Sequence, residues 1–195
     1  MRIGIDATPM FRERGGIGWY AYHLTTSLAR IDHENTYVLY HDASSQFPID
    51  PSINQHNFSS VEVPKWCMRR QVRRDAIEVF HGTNYRLAAY GRYRSVITVH
   101  DLALERFPQH SKKIFGQRWA SWRSSRAFAR ADRIIAVSHQ TAQDLHDYYR
   151  IPLERINVVH HGGSLARNVD HTDITLEFLK QRYGLHGGGY ILHVG

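Results

Sequence analysis

The sequence predicts an α/β fold, a parallel sheet with helices on both faces. Three observations carry the prediction. Short runs rich in β-branched residues alternate with helical patterns along the 195 residues. Several of these runs are apolar at successive positions, as strands buried on both faces are, where a half-wet strand would alternate. The segments between them space their apolar residues by three and four, which places those residues on one helix face. Such alternation builds βαβ units and leaves helices on either side of one sheet. The outcome is a Rossmann-like domain.

Seven runs read as strands: Ile3 to Ala7, Tyr37 to Tyr40, Val61 to Val63, Ile77 to Phe80, Val96 to Val99, Ile134 to Val137 and Ile156 to Val159. The first helix is expected where Ile17, Tyr20, Ala21, Leu24, Leu28 and Ile31 form a stripe. A long second helix spans Ser111 to Arg130, a third Thr141 to Tyr149, and a further pattern from Ile174 to Arg182 ends at Gly184. The polar stretch from Asp42 to Ser60, with Pro48 and Pro51, reads as a long surface loop. Gly187-Gly188-Gly189 then precedes the run Tyr190 to Gly195, which reads as the first strand of another domain or as an extra edge strand. The expected division is residues 1–186 as the Rossmann-like domain and 187–195 as hinge and strand.

Hydrophobic residues at 42% and charged residues at 22% lie near globular averages, which excludes wholesale disorder. Cys67 is the single cysteine, so no intrachain disulfide forms. The amino terminus turns polar at Asp6, too soon for the apolar core of a signal peptide. No apolar run approaches the ~18 residues of a membrane span. A cytoplasmic, soluble protein is the expectation, and the sequon Asn57-Phe58-Ser59 then carries no meaning. Lys and Arg number 25 against 18 Asp and Glu, a net +7, with 14 His besides. A basic protein favours an anionic partner, whether nucleic acid, a lipid surface or a phosphorylated small molecule.

Ligands of open α/β sheets sit beyond the carboxyl ends of the strands. After the first strand stands Gly15-Gly16-Ile17-Gly18-Trp19-Tyr20, opening a helix. Glycines there admit a ligand to backbone N–H groups, and the helix amino terminus favours phosphate; they also simply permit a tight turn. Gly16-x-Gly18-x-x-Ala21 fits the dinucleotide fingerprint, with Asp42 where a ribose-binding acid would stand. Eight residues, Thr8 to Gly15, separate the strand from Gly16, far more than a dinucleotide turn uses. After the fourth strand come His81, Thr83 and Asn84, and after the fifth His100 and Asp101. His100 donates a hydrogen bond or carries a proton if Asp101 or a phosphate raises its pKa, or else ties down a strand–loop junction. Ser138 follows the sixth strand, as a ligand contact or a helix amino cap. His160, His161 and Gly162 follow the seventh. The histidines are scattered, with no His-Glu-x-x-His and no paired cysteines, so no metal is expected. No Gly-x-Ser-x-Gly elbow supports a Ser-His-Asp triad.

Lys65, Trp66, Arg69, Arg70, Arg73 and Arg74 crowd five cations and an indole into ten residues. On a helix the four arginines share one face with Trp66 near its edge, which suits an anionic membrane surface or is a plain solvated face. Arg86, Arg92 and Arg94 form a second cluster with Tyr85, Tyr90 and Tyr93. No reader motif for nucleic acid accompanies either.

Taken in order, five elements resemble the amino-terminal domain of GT-B fold glycosyltransferases, in particular the retaining glycosyltransferase family four. They are Ile3 to Asp6 with Gly15 to Tyr20, Val79 to Tyr85, Val96 to Leu102, Ala131 to Ser138, and Ile156 to His160. The resemblance runs from Met1 to about Gly189 and makes the last six residues the opening strand of the second domain. It implies an enzyme that moves a sugar with retention from a nucleotide-sugar to a saccharide or lipid-linked acceptor bound mainly by this half, without metal or other cofactor. It implies Gly15 and Gly16 near the donor's diphosphate and sugar, and His100 near the reacting groups. The set expected at the site is then His100 and Asp101 as catalytic, with Gly15, Gly16, Gly18, Tyr20, His81, Thr83, Asn84, Ser138, His161 and Gly162 contacting substrate. The family's usual Asn-Gly after the seventh strand is here His161-Gly162. The two glutamates spaced by eight in the family's donor-binding half have no counterpart, since the residues eight beyond each Glu are Ala21, Asp42, Arg70, Arg86, Lys113, Gly162 and Leu185. Without that clamp on the leaving group, the chain alone is expected to turn over little or nothing. A stand-alone acceptor-binding module and a nicotinamide-dependent Rossmann protein are the alternatives.

Overall fold

The computed structural model describes residues 1–12, 15–42, 48, 51–53, 57–64, 66–85, 87, 91–107, 124–162 and 176–184. It divides into two compact units, Met1–His161 and Gly162–Gly195.

The first unit is built on a seven-stranded sheet, parallel throughout. Its strands are β1 (Arg2–Asp6), β2 (Thr36–His41), β3 (Phe58–Glu62), β4 (Val79–Gly82), β5 (Arg94–Val99), β6 (Arg133–Ala136) and β7 (Ile156–Val158). The helices are α1 (Thr8–Phe11), α2 (Gly16–Ile31), α3 (Met68–Arg74), α4 (Ala103–Arg106), α5 (residues 124–130) and α6 (His139–Tyr149). Strand order is β3-β2-β1-β4-β5-β6-β7, so the direction of winding reverses between β1 and β4. Doubly wound sheets bind ligands beyond the carboxyl ends of the strands that flank such a reversal. The expected Rossmann-like α/β domain is the observed one.

Both faces of the sheet are buried, which explains the unbroken apolar runs. Along β2, Val38 and Tyr40 enter one core with Phe80, Ile97 and Ile134, while Tyr37 and Leu39 enter another with Ile5, Met10 and Phe11. Helix α6 starts where its cap predicts, with the Ser138 hydroxyl accepting the Thr141 N–H at 3.1 Å. It ends on Arg150 in the left-handed region, φ 54°.

Two expectations shift. The polar stretch 42–60 is not all loop: β3 begins at Phe58, whose ring stacks on Tyr37 at 4.4 Å, and Ile53 is buried in a short 3₁₀ turn. As the sheet's edge strand, β3 buries little beyond Phe58, so its pattern reads as polar. Strand β4 lies two residues later than expected, because β1 pairs Ile3 with Val79 and Asp6 with Gly82. That places His81 inside the strand. Of the second aromatic–basic cluster, Arg86 and Tyr90 lie outside the described residues, while Tyr93 packs on Phe80 at 5.7 Å and Arg94 pairs with Asp132 at 3.2 Å. Of the long second helix, residues 124–130 are helical and 111–123 lie outside the described residues.

In the second unit, helix α7 (Leu176–Tyr183) ends at Gly184 with φ +65°, a conformation that favours glycine and stops a helix. The expected hinge and strand at 187–195 lie outside the described residues.

Candidate functional site

The carboxyl ends of β1 and β4 are tied together by Thr83. Its fully buried hydroxyl donates to the Asp6 carbonyl at 2.6 Å, joining the two strand ends across the point of reversal. Thr83's own carbonyl accepts from His100 Nε2 at 2.9 Å. Three turns that are distant in sequence thus meet at one threonine.

Around it the rings gather. Tyr20, one turn into α2, meets His100 edge-on at 4.9 Å and His161 at 5.0 Å. His100 and His161 lie nearly parallel, 5.4 Å between centroids, with Nδ1 of the first 3.4 Å from Nε2 of the second. Beneath them, Thr98 Oγ1 stands 3.0 Å from the Tyr20 hydroxyl and 2.8 Å from His81 Nε2. Burial raises the Tyr20 pKa, and the Thr98 hydrogen bond opposes it. Burial also lowers His100, assisted by His161 and opposed by the Thr83 carbonyl and Asp101. His100 is therefore neutral near pH 7, with its hydrogen on Nε2, since a carbonyl can only accept.

His81 is held down harder. Burial, with the nearby His100 charge, lowers it from 6.5 to about 4. Between those values the unfolded chain binds a proton that the folded ring refuses, so stability rises with pH across that window. We expect the urea midpoint to fall when pH drops from about 7 to about 5. His81→Gln keeps a donor for Thr98 without a titrating ring and should flatten that slope. An unchanged slope in the variant, read by denaturation at each pH, would remove His81 as its source.

The glycine loop is positioned by α2. Gly15 is its N-cap, no side chain caps it, and its first internal bond runs from Trp19 N–H to the Gly15 carbonyl at 2.9 Å. The N–H groups of Gly16, Ile17 and Gly18 have no acceptor among the described residues. A Cβ on Gly15 or Gly16 would meet nothing within 4 Å, and neither has a positive φ. Neither internal packing nor backbone conformation demands glycine there. Access to the helix end from outside is the remaining physical use for it.

Several expected contacts take other positions. Asp101 is exposed and its Oδ1 accepts the Ala103 N–H at 3.0 Å, so the carboxylate opens α4 and does not touch His100. Ser138 is spent on capping α6, while Thr141 beside it reaches the His100 carbonyl at 3.4 Å. Asn84 is half-buried next to Thr83. Gly18 is buried in α2. Gly162 belongs to the second unit, with open space where a Cβ would be. Asp42, the acid of the dinucleotide reading, is engaged by Arg12. Helix α1 further separates β1 from the glycine loop.

Two residues of the cluster were not anticipated. Thr98 is fully buried, and its signal was a polar residue inside the run Val96-Ile97-Thr98-Val99. Tyr85 has φ +44°, a strained conformation for an aromatic residue, and its hydroxyl accepts the Asp101 N–H at 3.0 Å. Its ring lies 6.0 Å from His100, and burial with Asp101 raises its pKa. Nothing in its sequence neighbourhood announces the strain. No group of three or more His, Cys, Asp or Glu placed to hold a metal occurs among the described residues.

The sequence profile described as Glycosyltransferase Family 4 matches residues 14–167. The chain belongs to Glycosyltransferase Family 4. Its fold resembles that of the wall teichoic acid polymerase TagF, with a TM-score of 0.50 and 12% identity over 82% of this chain and 38% of that one. It also resembles a glycosyltransferase from Rickettsia africae ESF-5, with a TM-score of 0.50 and 14% identity over 95% of this chain and 50% of that one. At such identities the likeness is one of fold. The chain of this Family 4 member spans half or less of those two structures. No curated protein sequence matches it.

On the far side of β2, α3 buries Met68 and Val72 and exposes Arg69, Arg70, Arg73 and Arg74. With Trp66, 85% exposed, they line an open groove of about 560 Å³. None of the four arginines has an ion pair among the described residues. Lys65 lies outside the described residues. No described helix is long and apolar enough to cross a membrane.

Proposed function

We propose that this chain is the acceptor-side half of a sugar transferase that moves a hexose from a nucleotide-sugar to a saccharide or lipid-linked acceptor with retention. One observation carries the reading: His100, His161 and Tyr20 converge at the sheet's point of reversal, beside an α2 amino terminus left open by Gly15 and Gly16. The open N–H groups suit the donor's phosphates, whose charge the helix dipole favours. The neutral His100 supplies a polar ring edge for the transferred sugar or the acceptor hydroxyl. Thr83 fixes its tautomer, and Tyr20 shields it from water. No metal or organic cofactor enters this reading, because the nucleotide-sugar is itself a substrate. The glutamates spaced by eight that would clamp the donor are not in this sequence, so transfer needs a partner domain and the chain alone binds donor weakly.

The arginine face of α3 extends the reading to a cytoplasmic protein held at a membrane. Four cations without ion pairs among the described residues, beside an exposed indole, match an anionic bilayer surface, where charge attracts and Trp inserts at the headgroups. The test is transfer from radiolabelled nucleotide-sugars by this chain with a donor-binding domain supplied, with acceptors presented in neutral and in phosphatidylglycerol-containing vesicles. Transfer with co-sedimentation on anionic vesicles alone is expected, and Arg69→Glu with Arg73→Glu should abolish the sedimentation. Absence of transfer to any acceptor would overturn the enzymatic reading. Equal sedimentation with both vesicle types would overturn the membrane contact.

A further inference from the structure

The hydrogen bonds of the two stacked histidines assign every ring proton. His100 Nε2, 2.9 Å from the Thr83 carbonyl, carries the hydrogen of its neutral ring. Its Nδ1 is then an acceptor, and His161 Nε2 at 3.4 Å donates to it. That leaves Nδ1 of His161, an exposed ring, without a protein partner among the described residues.

Among the described residues, few groups face this pair. Helix α2 contributes Tyr20, β4 contributes His81, and the loops after β4 and β5 contribute Tyr85 and Asp101. His160, the next residue back along the chain, turns its Nδ1 to the Val137 carbonyl at 3.2 Å and its ring to His139 at 5.5 Å. Asp101 is the one carboxylate among them. It is spent on the Ala103 amide, and its pull on the His100 charge is weaker than the opposing push of His161. Among the described residues, nothing in that shell offsets a second positive charge placed beside the first.

We propose that His161 is a positioning residue for His100, the two imidazoles forming one unit that takes up a single proton, carried by His161. In the protonated pair His161 keeps its Nε2–H on His100 Nδ1 and gains an outward Nδ1–H. A phosphate-bearing substrate then meets a charged donor, while His100 remains neutral and oriented. A second proton has no place to go, because it would need His100 Nδ1, which already faces an N–H. The use of this unit by a substrate rests on the sugar-transfer reading; the sharing of one proton does not.

The experiment is a nitrogen NMR titration of the histidine side chains from about pH 5 to 8, on the unsubstituted chain, His161→Asn and His161→Leu. In the unsubstituted chain His161 is expected to titrate while His100 stays neutral with its hydrogen on Nε2. In His161→Leu, which removes both the like-charged neighbour and the N–H on Nδ1, His100 should accept a proton at a pH higher by about half a unit or more, and in His161→Asn, where an amide N–H still caps Nδ1, the rise should be smaller. The asparagine amide can still donate to His100 Nδ1, so His161→Asn should hold the ring in place where His161→Leu frees it, read as line broadening of the His100 resonances. A His100 midpoint unmoved by His161→Leu overturns the proposal, as does a His100 that protonates before His161. Because no sugar donor is needed, uncoupled rings would leave the transferase reading standing, and absent transfer would leave the pair standing.

Discussion

Phe80→Ala is expected to destabilise the fold by about 3–5 kcal/mol, the largest single loss among the core positions considered. Phe80 is fully buried on β4, the strand where the winding of the sheet reverses. Its ring lies 6.0 Å from Tyr40 and 5.7 Å from Tyr93. The space for it is made on β1, where a Cβ at Gly4 would come within 3.1 Å of the Phe80 ring. Truncation removes the transfer free energy of a benzyl group and leaves a cavity between strands whose ladder positions are fixed on both sides. The neighbours therefore have little freedom to collapse into it. Phe80→Leu should retain most of the stability, and Trp66→Ala, at a side chain 85% exposed, should change it by less than about 0.5 kcal/mol. Urea denaturation followed by far-ultraviolet circular dichroism measures all three. A loss for Phe80→Ala no larger than that for Trp66→Ala would contradict its place in the core.

The same strand shows what was legible beforehand and what was not. The parallel sheet could be read because both of its faces are buried, which makes runs such as Val96 to Val99 apolar regardless of which way each side chain points. The third strand could be read only from Val61 onward, and its start at Phe58 fell within the expected loop for the converse reason, since one buried ring leaves no pattern. At the site, His100, Tyr20 and Thr83 could be anticipated from their places at strand ends or in the first turn of a helix. Their mutual contacts could not, because a hydrogen bond from Thr83 to Asp6 spans 77 residues of chain and depends on strand register. Asp101 illustrates the limit. Its position beside His100 suggested a partner for the ring, yet its carboxylate faces the following turn, where a short acidic side chain satisfies a backbone amide. Tyr85 illustrates another: a left-handed tyrosine is dictated by its surroundings and leaves no trace in composition.

On the sugar-transfer reading, His100→Ala assayed with a donor-binding domain supplied is expected to lower turnover by about a hundredfold or more, with the fold unchanged. The ring is half-buried and contributes no large apolar area, so its loss should leave the denaturation midpoint near that of the unsubstituted protein. What disappears is a neutral imidazole held by the Thr83 carbonyl on one side and by His161 on the other. His100→Gln separates geometry from chemistry. Its amide can still donate to Thr83, so the loop stays closed, but it offers no aromatic edge to Tyr20 and no ring nitrogen to His161. If His100 only tied the loops together, glutamine would restore turnover while alanine would not. If the imidazole meets the transferred sugar or the acceptor, both variants lose kcat at a denaturation midpoint that neither changes. Asp101→Asn serves as the contrast, because an amide oxygen can still accept from Ala103 and the expected loss is less than about tenfold. Equal losses for Asp101→Asn and His100→Ala would place the carboxylate in the chemistry despite its orientation. Full turnover by His100→Ala would move the reacting groups away from this site altogether.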